Sequence, residues 1–442
     1  MRGAGVGWLE VCALRFSMVV GGLLLGLAAE VRAGELARVS GVEPGEVGVL
    51  GFTLERVGEV EIEAVGLVGA LGLEERSAAW VLDAESRETV WEMGDGRAVA
   101  ETRRTSRYRE RARLEAGSYE VYYAVRAERS EGEDAIVGVV RGMVGASVSP
   151  RELAALGVTV HGEGKPLGEA AVERARRRDG LLVDLGGLGD DVREVRGFVL
   201  GEPAEVEVYA LGELGPGFSS DIGWILDADR REVVWELTWE GSEPAGGSSL
   251  NRVARARLQL PAGRYAAEFV TDGGHSAAGW SGSPPRDPAF WGLTVRCPAG
   301  CGGAVPFEIE PLPRRLVAAE LTGLGDGERR ELPFALGGPA RLWLYAVGEG
   351  IGGRMYDHGW IEDAATGERV WTMDYERTRP AGGSVKNRLA DELVELPAGR
   401  YVAVYETDGS HSAGGGWNAE PPAEPERWGL TILAPESGLV PR

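Results

Sequence analysis

Lysine is nearly absent from this chain: of its 47 basic residues only Lys165 and Lys386 are lysines. Histidine and cysteine are scarce as well, with four and three residues. Each shortage closes off a class of function. The four histidines include no His-Glu-x-x-His pair, so there is no zinc helix, and no Gly-x-Ser-x-Gly elbow is present to hold a nucleophilic serine. Basic charge is in deficit overall, 47 residues against 69 acidic ones, and the formal net charge is −22. So acidic a chain, with no local basic patch, is repelled by phosphate, which argues against nucleic acid and anionic lipid as partners. Paired carboxylates occur everywhere in it and cannot be ranked as acid and base. Long apolar runs are missing too. The longest, 16–29, falls short of the roughly 20 residues of a membrane span, so no transmembrane segment is expected after signal removal.

That run follows Arg2 and Arg15 and precedes Val31-Arg32-Ala33, the pattern of an export signal covering residues 1–33. An uncleaved anchor is the alternative, because Glu30 and Arg32 are untidy in a cleavage region. Cys12 precedes the apolar run and is badly placed for lipid attachment. The expected destination is the periplasm or the cell exterior. There Cys297 and Cys301, in Cys-Pro-Ala-Gly-Cys, are expected to close a small disulfide loop. Half a zinc site is the competing reading, without a second cysteine pair to complete it. The last residues, 435–442, end in Leu439-Val440-Pro441-Arg442, which looks like the remnant of a thrombin-cleavable tag.

At 442 residues the chain has material for about three domains, and it repeats itself. From Leu185 to Ser276 it matches a later stretch at a constant offset of 136 residues. Phe198, Tyr209, Gly212-Glu213, Asp221, Trp224, Trp235, Asn251-Arg252 and Tyr265 fall on Phe334, Tyr345, Gly348-Glu349, Asp357, Trp360, Trp371, Asn387-Arg388 and Tyr401. After one inserted residue, Trp291-Gly292 falls on Trp428-Gly429. A fainter first copy keeps Phe52, Trp80, Trp91, Tyr119 and Leu156-Gly157 in the same order, but between Arg126 and Val148 it lacks the Thr-Asp-Gly and His-Ser elements.

The local pattern is β. Val206, Val208 and Ala210 alternate with Glu205, Glu207 and Tyr209, and Trp224-Ile225-Leu226 and Val233-Val234-Trp235 flank a polar turn. The expected fold is all-β: three tandem antiparallel β-sandwich modules at 37–165, 182–297 and 319–434, with short linker helices. One helix is predicted through Ser149 to Leu156 and one within 166–181, and 298–318 reads as a Pro/Gly linker. Gly348 to Gly353 has the spacing of a dinucleotide-binding loop but leads into a strand where that motif needs a helix, so it is read as a plain loop.

Leu260-Pro261-Ala262-Gly263-Arg264-Tyr265 and its copy ending at Tyr401 are similar to the turn into the closing strands of bacterial pre-peptidase C-terminal-type sandwiches. The longer pattern resembles tandem modules of uncharacterised exported bacterial proteins. The resemblance implies an accessory fold without implying a ligand or a reaction.

The most chemical cluster is Thr407-Asp408-Gly409-Ser410-His411-Ser412, with Thr271-Asp272-Gly273-Gly274-His275-Ser276 as its partner. Asp272, His275, Asp408 and His411 could ligate a metal, or with Trp280, Trp417 and Asn418 line a sugar-binding surface. The plainer reading is that each Asp caps its turn and His-Ser fastens the following loop. Asp357, Asn387 and Arg388, beside that loop, would form a pocket with Ca2+-compatible oxygens, whereas buried Asp-Arg pairing would pin strands instead. His358 has no counterpart in the second copy and favours a better site in the third. Trp80, Trp91, Trp224, Trp235, Trp360 and Trp371 are expected in cores, and Trp239, Trp280 and Trp417 on the surface. No residue set is catalytic and no cofactor is required, Ca2+ being the one candidate. The sequence therefore indicates an exported non-catalytic binding or structural protein. The alternatives are a carbohydrate-binding accessory protein and a metal-assisted hydrolase using the Asp-His loop of the third module. Its partner would be a glycan, another extracellular protein or a second copy of itself.

Overall fold

A computed structural model of the protein describes residues 34–67, 76–94, 98–101, 105–126, 155–176, 180–298, 300–301, 304–307 and 317–434. Residues 1–33 and 435–442 lie outside this set, as do the predicted helix at 149–156, except for its last two residues, and most of the stretch between Arg126 and Val148. The chain is all-β, built from three tandem antiparallel sandwiches. In the first, one sheet has the order Glu35–Ser40, Gly157–His161, Gly58–Leu67, Thr105–Leu114, Ala100–Glu101. The facing sheet runs Lys165–Leu167, Val47–Leu54, Gly117–Val125, Ser77–Asp83, Thr89–Glu92. The second module repeats both orders, and the third repeats them except that, among the described residues, its facing sheet has no counterpart of the edge strand Lys165–Leu167. In each of them one long hairpin, Ala204–Gly215 with Phe218–Asp227 and Ala340–Ile351 with Arg354–Asp363, crosses from one sheet to the other.

The alternation read from the sequence produces these layers. In Gly58–Leu67 residues Val60, Ile62 and Ala64 are buried while their neighbours are not, so one face of the strand meets the opposite sheet. Each module has its own inter-sheet core. The repeated Gly-Arg/Ser-Tyr turn closes it: the hydroxyls of Tyr119, Tyr265 and Tyr401 donate to the carbonyls of Glu115, Pro261 and Pro397, all at 2.9 Å. Their rings stack on Phe52, Phe198 and Phe334 at 5.1, 5.3 and 5.5 Å. Trp80, Trp91, Trp224, Trp360 and Trp371 are buried as expected, and Trp235 only in part.

The Trp-Gly pairs have a backbone cause. Gly292 and Gly429 adopt φ of 130° and 135°, and a Cβ there would lie 1.8 and 1.9 Å from the carbonyl oxygens of Leu185 and Leu321. Only glycine lets the closing strand approach its partner so closely.

Two segments differ from the sequence reading. The linker at 298–318 contributes the strand Val305–Phe307, which pairs with Gly197–Val199 of the second module. Lys165–Leu167 joins the first module in the same way, against Gly51–Thr53. Each added edge strand carries a central proline, Pro166 or Pro306, which withholds a backbone donor and blunts the edge against further pairing. The Pro/Gly content that read as a linker is the signature of that edge. The predicted helix within 166–181 forms at Glu169–Arg176 and buries Val172 over Gly51. Cys297 and Cys301 are joined by a disulfide, with Cα atoms 5.8 Å apart.

The modules are locked end to end by buried charges. The turn after each Trp hairpin strand is closed by an aspartate, Asp83, Asp227 or Asp363, whose Oδ1 accepts two backbone N–H groups. It ends on a residue in the left-handed region: Arg87 at φ 61°, Arg231 at 57°, Gly367 at 72°. Arg87 is 3% exposed and pairs with Glu120 of its own module and Asp287 of the next. Arg231 enters the third module and pairs with Asp391. Arg193 adds a second tie there, to Glu268 and to Glu424 at 2.5 Å. Tyr209 donates to Asp287 and Tyr345 to Glu424, so the same tyrosine-carboxylate pair receives the preceding module at both junctions.

Two outcomes are expected. Gly292→Ala loses about 3 kcal/mol or more of stability in urea unfolding, with the cost confined to the second module. Asp287→Ala leaves Arg87 buried with half its partners and costs about 3–5 kcal/mol, whereas Asp229→Ala, which removes a surface pair, stays within about 0.5 kcal/mol. Calorimetry of the full chain checks both, and the Asp287 variant splits the shared transition of the first two modules.

Candidate functional site

The duplicated Asp-His loop closes over the outer face of one sheet, on a small apolar cluster separate from the main core. In the second module that cluster holds Leu211, Ala245, Val253, Trp280 and Trp291. His275 stands at its centre and is 2% exposed. Its ring meets Trp280 and Trp291 edge to face at 4.9 and 5.5 Å. Asn251 donates from Nδ2 to the carbonyls of Gly246 and Ser283, which fixes its Oδ1 as an acceptor. That oxygen lies 2.8 Å from His275 Nε2, so Nε2 carries the proton, and Nδ1 accepts from the Gly282 N–H at 3.3 Å. Burial lowers the pKa of His275 to about 4, so the ring is neutral at physiological pH.

Asp221 completes the network from the adjoining strand. It is fully buried, accepting from the Asp272 N–H at 2.9 Å and from Trp291 Nε1 at 2.8 Å. Burial pushes its pKa well above the usual carboxylate range. Asp272 Oδ1 accepts from the Gly274 N–H, the capped turn anticipated from the sequence. Every polar atom named here is committed to holding the loop against the sheet.

The third module repeats the scaffold with differences. His411 Nε2 lies 2.7 Å from Asn387 Oδ1, and Asn387 Nδ2 donates to the carbonyls of Gly382 and Glu420. Asp357 accepts from the Asp408 N–H at 2.7 Å, and Asp408 Oδ1 from the Ser410 N–H at 2.9 Å. Trp428 Nε1 and Asp357 Oδ2, the counterparts of the Trp291-Asp221 bond, are buried and make no hydrogen bond of ordinary geometry. Burial raises the pKa of Asp357 to about 7, opposed by the Asp408 N–H and, more weakly, by a loose bond from the Trp428 indole. His411 sits at φ 58°, fully buried, with its pKa lowered to about 4 by burial and the Lys386 charge. At the rim, exposed Asn418 accepts from Lys386 Nζ.

Several sequence expectations fail, for reasons of alternation and packing. Asp357 and His358 are adjacent on a strand and so face opposite ways; His358 lies 5.4 Å from Trp360 on the other face and takes no part in the site. Arg388 alternates away from Asn387, bonds Thr378 and stacks 4.5 Å over Tyr375. Its counterpart Arg252 bonds Ser242 and lies 4.1 Å over Trp239. The anticipated Asp-Arg pairs across the strands do not form. Trp280 is 5% exposed rather than a surface ring, and Trp417 is half-buried, 4.9 Å from His411 and 5.1 Å from Trp428. Trp239 is half-buried beneath Arg252. A flat stacking platform of these three rings is therefore absent.

Comparison with known proteins adds little. No family model matches the chain, and no curated protein is detectably similar to it. Among solved structures, it is similar to the tandem CBM51 modules of Sp3GH98, the family 98 glycoside hydrolase from Streptococcus pneumoniae SP3-BS71. The identity is 12%, the match covers 62% of this chain and 90% of that one, and the TM-score is 0.16. So low a score leaves function to be read from the chain's own surface. No helix among the described residues is long and apolar enough to cross a membrane.

What the sequence missed is a cleft of about 710 Å3 at the first junction. Its walls come from the turn at 85–87, the helix Glu169–Arg176 and the strands around Tyr209, Arg255 and Arg296. Arg255 donates to the Arg87 carbonyl and lies 5.2 Å over the Tyr209 ring, and Arg87 lies 4.7 Å over Phe290. Of the repeat landmarks only Tyr209 lines it, and self-comparison gives no sign of the cleft because it exists only where two modules meet.

The buried histidine gives a pH signature. A folded pKa below the unfolded 6.5 means that the stability contributed by neutral His275 is complete above pH 6.5. It is lost as the pH falls through about 4. Against a His275→Gln variant the wild type is expected to lose up to about 3 kcal/mol of relative advantage between pH 7 and 4. Paired denaturant titrations at each pH check this, with Asp221 and Asp357 cancelling because both proteins contain them.

Proposed function

We propose that the chain is a non-catalytic binding protein that works outside the cytoplasm and takes a polar, hydroxyl-rich ligand, a glycan segment, in the cleft at the first junction. The observation that carries this reading is the cleft itself: about 710 Å3, walled by two modules whose relative position is fixed by the buried Arg87-Asp287 pair. Arginines 255 and 257 are exposed at its wall and Glu173 and Glu207 supply acceptors, a mixture that suits hydroxyl groups better than a single-sign ligand. The ring faces of Tyr209 and Phe290 are covered by guanidinium groups, so recognition rests on hydrogen bonds more than on stacking. The Cys297-Cys301 disulfide and the N-terminal signal pattern support a location in an oxidising compartment.

A metal-assisted hydrolase built on the third module's loop would need His411 to meet solvent, and it is fully buried. A purely structural role is favoured by a different observation, the sealing of both junctions with desolvated ion pairs. The two readings separate in a glycan-panel binding assay on the mature chain. The binding reading expects a saturable ligand whose affinity falls at least about tenfold in Arg255→Ala, with the melting temperature of the free protein nearly unchanged. A panel without a binder, together with an interdomain shape in solution that no glycan alters, supports the structural role instead.

A further inference from the structure

Three carboxylates of the third module converge beneath the Asp408 loop. Glu349 and Asp357 stand opposite each other on paired strands, so their side chains leave the same side of the sheet. Asp408 reaches them from the loop, tied by its N–H to Asp357 Oδ1. One oxygen from each residue lies within 4.8 Å of the other two. A single Ca2+ with oxygen ligands at about 2.3–2.6 Å closes that span. Among the described residues no other set of three such ligands comes so close.

Proximity of acids alone would mean nothing in this chain; the unmatched oxygens do. Asp357 is fully buried and Glu349 is 8% exposed, yet Glu349 Oε2 has no hydrogen-bond partner and Asp357 Oδ2 makes no hydrogen bond of ordinary geometry, meeting the Trp428 indole only loosely. A buried carboxylate oxygen without a donor is costly unless a cation meets it. The nearby cation is Lys386, 2.9 Å from Glu349 Oε1, and its ammonium also donates to Asn418. The second module keeps the three carboxylates as Glu213, Asp221 and Asp272, but they do not come within that span of one another, and their surroundings differ. Leu250 stands in place of Lys386 and Ser281 in place of Asn418, while the Trp291 N–H occupies Asp221 Oδ2.

We propose that Glu349, Asp357 and Asp408 bind a hard divalent cation, calcium, in the third module, and that the second module has no such site. All-oxygen ligands select a hard ion, and the irregular set suits calcium better than magnesium, which demands an octahedron. Waters complete the coordination on the loop side. The site ties the strand hairpin to the Asp-His loop and goes beyond the ligand reading of the first-junction cleft, on which it does not depend.

The test uses the full chain after chelator treatment. Calcium chloride is titrated while the third module's calorimetric transition is followed, and terbium is added separately with excitation of tryptophan, since Trp428 adjoins Asp357. Calcium is expected to raise that transition by about 5–10 °C at a hundredfold excess over Kd, and terbium to give sensitised emission that calcium displaces. Asp408→Asn keeps a cap oxygen for the Ser410 N–H, and Glu349→Gln leaves the loop untouched. Both should abolish the calcium shift, and Asp408→Asn should do so without lowering the melting temperature in chelator, because it relieves repulsion and keeps the turn capped, whereas Glu349→Gln also loses its pair with Lys386. Asp272→Asn in the second module should leave the shift intact. The proposal is overturned by a transition that does not move up to about 10 mM calcium, a concentration above even weak extracellular sites. It is equally overturned by a shift that persists in both third-module variants, or by one that Asp272→Asn also removes.

Discussion

The arrangement of this molecule depends on an arginine placed where arginine is uncomfortable. Arg87 and Arg231 close a tight turn in the left-handed region, where a side chain costs about 1–2 kcal/mol relative to glycine. What offsets that cost lies in the next module: a desolvated carboxylate waiting for the guanidinium, Asp287 in one case and Asp391 in the other. Against the opposing effect of burial, the Arg231 guanidinium holds Asp391 below the usual carboxylate range. The third module has no successor among the described residues, and glycine stands at the same turn. Its Trp360 face is covered by its own Arg369 and Arg329, at 3.9 and 5.0 Å, whereas Trp80 and Trp224 are covered by Arg286 and Arg379 of the following module. In the third module the indole face is therefore covered from within.

Much of this architecture was legible in the residues. Two-residue alternation gave sheets, the constant offset gave copies, and the Phe-Tyr and Trp-Gly landmarks turned out to be a corner and a close strand approach. The failures share a cause. Pro306 read as part of a linker because a proline's meaning depends on whether its missing N–H faces a partner or solvent, which one strand in isolation does not tell. The junction residues were invisible for a similar reason. Arg87 and Arg231 sit at matched places in the hairpin, but their partners occupy unmatched ones, so self-comparison has no register in which to find them.

The site was half legible. Asp408, His411 and Asn387 were singled out and do meet, and the fastening role foreseen for the loop holds in the second module. Arg388 and His358 were grouped with them by nearness in sequence, and strand alternation sends both to the other face. Glu349 was overlooked although Gly348-Glu349 was among the repeat landmarks. The glycines around it suggested a loop, whereas the strand runs through to Ile351 and turns only at Gly352-Gly353. Glycine in that strand serves close approach: a Cβ at Gly348 would lie 2.1 Å from the Asp357 carbonyl.

Duplication explains why one loop can serve two ends. In the second module the bond between Trp291 and Asp221 satisfies the buried carboxylate from within, so the network is complete and has nothing to offer a ligand. In the third, the same indole and carboxylate meet only loosely, Lys386 enters where Leu250 was, and Asn418 replaces Ser281. Each change adds a polar group without adding a donor for Asp357 Oδ2. A sequence that spent its polar residues only on stability would have kept the closed form in both copies, since an unmatched buried carboxylate is among the costliest features a core can hold. The third module keeps the backbone of the fastening loop and departs from it only around that oxygen, which is where a departure gains something beyond stability.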